Sequence, residues 1–365
     1  MKIGFDARMI SHPGIGKYIE CLLKGIISIS DNNEFILFAD INKLKIFQNY
    51  KNVKCVNWNA PIYSGWEQIF NMYPLQKLDV LHVPHFNIPL FFSGRLVVTI
   101  HDLIYLLIPS SSPSKLGKIY TDFMIKSSLQ KSKSVIAVSE NTKKDLIKIY
   151  SEKYAEKINV IYEAPSPEFQ PITDRTLLAD IRCRYRLEEN FILYVGSIKP
   201  HKNVGTLIEV FKLLKQWGAP HKLVICGRWD KKEDYLKDKL IDKDIRYLGE
   251  IPASDIAGLY NLADLLVHLS LYEGFGLTIV EAMSSGLPVV ALDSSSMPEV
   301  IGDAGILVPA GNNEQIANTI YNVLVNGNMR NIMKENSLEQ ARKFSWDKTA
   351  KATLDVYKKV AGSGA

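Results

Sequence analysis

Cysteine is scarce in this chain and never paired. Its four cysteines, Cys21, Cys55, Cys183 and Cys226, are spread over 365 residues and form no C-x-x-C. That spacing excludes a zinc ribbon or a disulfide-stapled scaffold and fits reduced, mostly buried thiols in a cytosolic protein. Long apolar runs are missing too. MKIGFDARMI is broken by Asp6 and Arg8 before it reaches signal-peptide length, and IPLFFSGRLVVTI is interrupted by Arg95. Neither a leader nor a membrane span is expected. The histidines are scattered without the i, i+4 pairing of a metal-binding helix, so no catalytic metal and no cofactor are expected. Charge of one sign is weak, a formal +5. With no recognisable DNA- or RNA-binding motif, nucleic acid is not an expected partner.

What is present is a core. At 47% hydrophobic and 23% charged, the composition is that of a globular protein, and the length suits two domains. Short apolar runs alternate with helical patterns along nearly the whole chain. The first half carries KIGFDA, FILFAD, VKCVNW, VLHVP, RLVVTIH, VIAVS and INVIY; the second carries FILYVGS, KLVICG, IRYLG, LLVHLS, PVVALD and GILVP. Between most of them lie segments of 3.6-residue periodicity such as NVGTLIEVFKLLKQW. The pattern predicts α/β architecture, with two doubly wound parallel sheets covered by helices. The rhythm resets at YEAPSPEFQPITD, residues 162–174, whose three prolines mark a linker. The expected domains are 1–168 and 172–345. Ligands of such sheets bind beyond the carboxyl ends of the strands, and two domains facing each other would enclose a central cleft.

One stretch, EGFGLTIVEAM from Glu273, joins unlike features. Gly274 and Gly276 permit a tight turn, and the chain then enters a helix whose first N–H groups and dipole favour an anion. Two carboxylates, Glu273 and Glu281, stand beside this anion site. The combination makes sense for a ligand with hydroxyls next to its phosphates, because carboxylates accept hydrogen bonds from hydroxyls. A nucleotide-sugar has both. Elsewhere, Pro13, Gly14 and Gly16 form a loop before a helix, and the third position after Gly16 is Ile19, which breaks the dinucleotide fingerprint. VVTIHDL sets His101 and Asp102 at a strand end, where a histidine can orient a hydroxyl or exchange a proton. YVGSIKPHKN brings Lys202, a mobile point charge suited to phosphate, to the start of another helix. Ser114 to Ser134 carries five lysines against one aspartate, interleaved with apolar residues. That composition suits an anionic membrane surface or, more plainly, a solvated helix with one buried face.

Taken together these motifs resemble a family 4 retaining glycosyltransferase of the GT-B fold, most like bacterial surface-polysaccharide mannosyltransferases. EGFGLTIVEAMSSGLPVVA resembles the family's E-x7-E signature, with Glu273 and Glu281 in the glutamate places. VGSIKPHKN resembles its phosphate loop, PGIGKY its N-terminal glycine loop and TIHDL its sugar-site histidine. The resemblance implies that Glu273 contacts the donor sugar, that Glu281 takes the nucleotide ribose, and that His101 positions the transferred sugar. Lys202 would neutralise the diphosphate, with backbone N–H groups around Gly274, Phe275, Gly276 and Leu277 and at Gly14 or Gly16. Ser197 stands where many members carry arginine, and Lys199 or Arg228 would supply that charge. It further implies GDP-mannose as donor, no metal, and a last helix, 346–361, returning to the N-terminal domain. The acceptor would be a saccharide or lipid-linked saccharide met on the cytoplasmic side of a membrane, with peripheral contact to anionic lipid. Acceptor specificity is expected in the irregular loops NWNAPIYSGWEQ and VPHFNIPLFFSG. An epimerase of the same architecture and a non-catalytic nucleotide-sugar-binding protein remain alternatives.

Overall fold

The computed structural model describes residues 1–64, 67–68, 77–112, 114–187 and 189–362. Each of the seven apolar runs of the first half supplies one strand: β1 (Lys2–Asp6), β2 (Glu34–Ala39), β3 (Val53–Asn57), β4 (Val80–Val83), β5 (Leu96–Ile100), β6 (Ser134–Ala137) and β7 (Ile158–Val160). They form one sheet in the order β3-β2-β1-β4-β5-β6-β7. The six runs of the second half supply β8 (Phe191–Val195), β9 (Lys222–Cys226), β10 (Ile245–Gly249), β11 (Leu265–His268), β12 (Val289–Leu292) and β13 (Ile306–Val308), ordered β10-β9-β8-β11-β12-β13. Their ladders are parallel. Strands such as LVVTI and FILYV are buried at every position, which is why they read as continuous apolar runs. In each sheet the strand order reverses once, between β1 and β4 and between β8 and β11. Ligands of open α/β sheets gather at such reversals.

The chain divides into two compact units. The first comprises Met1–Leu107, Ser112–Glu163 and the chain from Ser345; the second comprises Ile108–Ser111 and Ala164–Phe344. The boundary after Glu163 corrects the expected limit at residue 168. The proline-bearing stretch is packed rather than slack: Glu163, Ala164, Ser166 and Phe169 are buried. Phe169 sits edge-on to Tyr260 of the second unit, with ring centroids 5.7 Å apart.

In the first unit, the helix Trp346–Gly362 buries Ala350, Leu354, Tyr357 and Val360 in one core with Ile3, Phe5, Leu22 and Ile26. A chain of buried polar groups crosses this core. The Tyr357 hydroxyl pairs with His82 Nδ1 at 2.5 Å, His82 Nε2 with Thr99 Oγ1 at 2.8 Å, and Thr99 Oγ1 with the Tyr18 hydroxyl at 3.0 Å. Burial, helped by the nearby His101, pushes the His82 pKa down to about 3, so the ring is neutral. The core of the second unit is built from Ile192, Tyr194, Leu207, Phe211, Ile225, Val267 and Ile320, among others.

Candidate active site

In the second unit, the loops leaving β8 and β11 meet at the strand-order reversal. Beyond β8 the chain makes a single 3-10 turn, Pro200–Lys202, and Asn203 takes a left-handed φ of 55° before the helix Val204–Gln216. That turn delivers Lys202. Beyond β11 the chain reaches Glu273, whose side chain is 13% exposed. One carboxylate oxygen, Oε1, accepts from Lys202 Nζ at 2.5 Å and from His268 Nε2 at 2.8 Å. The backbone of Glu273 is pinned as well. Its N–H donates to Ser295 Oγ at 2.9 Å, and Ser296 Oγ donates to the carbonyls of Glu273 and Phe275 at 3.1 and 2.9 Å. Burial alone would raise the carboxyl pKa, but Lys202 and His268 outweigh it and hold Glu273 well below the usual carboxylate range.

Gly276 follows at φ 101°, and a Cβ there would lie 2.7 Å from Met297 Cε; glycine alone fits the turn. The helix Leu277–Ser284 starts at once. The Ile279 amide bonds the Gly276 carbonyl at 2.9 Å, and the amides of Leu277 and Thr278 precede it as first-turn donors. Phe275 is buried edge-on to Phe344. Glu281, on the same helix, is half-buried and accepts from the Tyr260 hydroxyl at 3.3 Å. Lys202, Glu273 and this helix start therefore share one end of one sheet. Ser197 and Arg228 lie on adjoining loops, joined by the Ile198 amide bonding the Arg228 carbonyl at 2.8 Å. The Arg228 side chain is exposed and faces Glu250 at 3.7 Å. An Asp-x-Asp spacing, Asp242 and Asp244, sits ahead of β10, at the opposite end of the sheet. There Asp244 is tied to Lys222 at 2.5 Å and Lys215 at 3.5 Å. Among the described residues no three His, Cys, Asp or Glu side chains converge as a metal site.

The first unit revises two expectations. Gly16 does not offer its amide to a ligand, because that N–H bonds the His12 carbonyl at 2.8 Å. A Cβ on Gly16 would sit 2.3 Å from the Ile10 carbonyl oxygen, so close packing requires this glycine. Gly14, at φ 80°, has open space around it. His101 uses both ring nitrogens, Nδ1 with Glu163 Oε1 at 2.9 Å and Nε2 with the Pro84 carbonyl at 3.1 Å. Burial opposes the charged ring, yet Glu163 prevails and raises its pKa. The imidazolium donates to both neighbours, and a sugar hydroxyl would have to displace the Pro84 contact.

Sequence reasoning missed a cavity in the first unit lined by Asp6, Arg8, Ile62, Val83, His85 and Asn87. Arg8 Nη2 holds Asp6 Oδ2 at 2.5 Å and Glu67 Oε1 at 2.6 Å, while its guanidinium lies 4.4 Å from the Trp58 ring centroid. Glu67 Oε2 accepts from Asn87 Nδ2 at 2.6 Å. Despite burial, the two carboxylates hold Arg8 above its ordinary pKa. The available signal was a charged pair, Asp6 and Arg8, at the end of the first apolar strand. Ile62 and Glu67 come from one irregular loop named above, His85 and Asn87 from the other. His268 and Ser270 were also missed; their signal was their place at the end of the run LLVHLS.

Comparison with known proteins follows the same division. Residues 183–340 match the model for glycosyl transferases group 1, and residues 50–168 match that for glycosyltransferase family 4. The O-antigen chain mannosyltransferase B of Escherichia coli is 29% identical, covering 98% of this chain and 100% of its own. An uncharacterized glycosyltransferase of Methanocaldococcus jannaschii is 30% identical, covering 83% of this chain and 81% of its own. The crystal structure of Anabaena HepE in complex with UDP and glucose superposes with a TM-score of 0.77 at 20% identity, covering 98% of this chain and 100% of that one.

Proposed function

The chain belongs to the group 1 and family 4 glycosyltransferases and has the GT-B fold, and from that premise we propose that it transfers mannose, with retention, from GDP-mannose to a saccharide or lipid-linked saccharide of a surface polysaccharide. The mannosyl choice rests on relatives such as the O-antigen enzyme of Escherichia coli. The observation that carries the reading is the meeting of Lys202 and Glu273 beside the start of the helix Leu277–Ser284. An ammonium and first-turn amides are the partners that a departing diphosphate needs, and they act most strongly when shielded from water. They take the place of a metal. Glu273 contacts the donor sugar and Glu281 accepts from the ribose hydroxyls. Ser197 and Arg228 flank the diphosphate. His101, charged and braced by Glu163, positions the sugar through the loop it holds. Retention follows a front-side route in which the leaving phosphate helps deprotonate the acceptor.

The acceptor's hydroxyls are read by the Asp6–Arg8–Glu67 cluster at the reversal between β1 and β4. The enzyme works in the cytoplasm at the inner face of a membrane, held there peripherally. Among the described residues no helix is long and apolar enough to cross a membrane. The helix Lys115–Lys131 leaves Leu116 79%, Ile119 65% and Phe123 54% exposed, with the exposed Lys115, Lys118 and Lys126 among them. An apolar ridge set among lysines suits anionic lipid.

The experiment is a transfer assay with GDP-mannose and UDP-glucose in parallel, with and without EDTA, and NMR of the product's anomeric proton. Mannose transfer with retained configuration, unchanged by EDTA, is expected. An inverted product, activity restored only by added magnesium or manganese, or conversion of the donor to an epimer without acceptor would each overturn part of the reading.

A further inference from the structure

His268 ends β11, is almost fully buried, and lies nearly parallel to Tyr194, 13° between ring planes. Its Nε2 stands 2.8 Å from both Glu273 Oε1 and Ser270 Oγ, while its buried Nδ1 has no hydrogen-bond partner. A proton on Nδ1 would be buried and unpaired, so the tautomer is set: Nε2 carries the proton and donates to Glu273. Glu273 Oε1 thus has two donors of different kinds. Lys202 brings an ammonium on a flexible four-carbon stem. His268 brings a ring fixed by its strand and its packing.

We propose that His268 is a positioning residue that keeps Glu273 paired and in place while Lys202 passes its charge from that carboxylate to the donor's diphosphate. The inference rests on the reading of Lys202 and Glu273 given above. The incoming diphosphate and Glu273 compete for one ammonium. A buried carboxylate deserted by its cation is costly unless another donor remains, and His268 is that donor. Two other titratable groups face Glu273 from packed elements, His201 beside Lys202 and Tyr194 on β8. Burial, with Lys202 nearby, pushes His201 down to about 4, and burial pushes Tyr194 up. The Tyr194 hydroxyl already donates to the Ser197 carbonyl at 3.0 Å and His201 Nδ1 pairs with Ser111 Oγ at 2.9 Å, so His268 is the donor set on Glu273 Oε1 beside Lys202.

The test uses the full chain labelled with 13C-glutamate and inorganic pyrophosphate as the probe. Glu273→Gln assigns the resonance. His268→Phe keeps a ring against Tyr194 and removes the one nitrogen that is used; His268→Gln restores an amide donor. Pyrophosphate should bind wild type and fail to bind Lys202→Gln. With pyrophosphate bound, Glu273 in His268→Phe should titrate about one pH unit or more above wild type, and His268→Gln should return towards wild type. Coincident titrations of wild type and His268→Phe with pyrophosphate bound overturn the inference and leave Lys202 as the phosphate partner. Absent binding, or equal binding by Lys202→Gln, overturns the reading of Lys202 itself and the inference with it. Should His268→Phe not fold, His268→Asn, which also withdraws Nε2, gives the same comparison.

Discussion

Glu273 is pulled in opposite directions, by burial that favours its neutral form and by Lys202 and His268 that favour the carboxylate. These two donors prevail, so its folded-state pKa is depressed. The stability this gives is present above the unfolded value, near 4.5, and is lost only as pH falls through the folded one. Glu273→Ala should lower turnover by about two orders of magnitude if the contact is made in the transition state. Glu281→Ala should chiefly weaken nucleotide binding, by about 1–3 kcal/mol for a charged hydrogen bond. Near-normal kinetics for both variants would contradict the assignment. His101 behaves in the opposite sense. Its pKa is raised, so its contribution is fully present below about 6.5 and disappears as pH rises through the folded value. Melting temperatures of wild type and Glu163→Gln, followed from about pH 5 to pH 9, should differ most at the acid end. A constant difference across that range would refute the charged pair.

At the scale of elements the strands were legible and the long-range polar pairs were not. All thirteen apolar runs became strands, because a strand buried on both faces writes its burial into consecutive residues. The turn before Leu277–Ser284 was legible through its glycines. By contrast, Arg8 and Glu67 are 59 positions apart, and His82 and Tyr357 are 275 apart. No local period reports such pairings, since each depends on which strands become neighbours. Gly16 shows the converse error, a glycine that packing requires but that resembles a ligand loop. Tyr357→Phe should lower stability by about 1–3 kcal/mol, because it leaves His82 Nδ1 buried and unpaired. Ending the chain before Ser345 should raise hydrogen exchange in β1, β4 and the helix Ile15–Ser28, while the sheet of the second unit stays protected. Unchanged exchange in those elements would contradict the packing described.

On the scale of the whole molecule, a formal charge of +5 is too small to hold an enzyme on a membrane unless it is concentrated. Of the five lysines in the basic segment, Lys131 is tethered to the Leu90 carbonyl at 2.6 Å, and Lys115, Lys118 and Lys126 stand on the helix with the exposed apolar ridge. Each lysine near an anionic surface contributes about 1 kcal/mol, screened by salt. Co-sedimentation with vesicles should rise with anionic lipid and fall with salt. It should fall further in Lys115→Gln/Lys118→Gln/Lys126→Gln and in Leu116→Ser/Phe123→Ser. Indifference of the wild type to anionic vesicles at low salt would leave a solvated helix and no more. The return of the last helix to the first unit also has a temporal consequence. On the ribosome, β1 to β7 are made before Ala164–Phe344 of the second unit, yet Ala350, Leu354 and Tyr357 emerge after that stretch. At about 5–20 residues per second that interval is roughly ten to forty seconds. Throughout it the nascent first sheet exposes the apolar surface that the final helix will cover, and His82 waits without its hydroxyl. The first unit of this enzyme, begun first, therefore cannot complete its core until Ala350, Leu354 and Tyr357 have been synthesised.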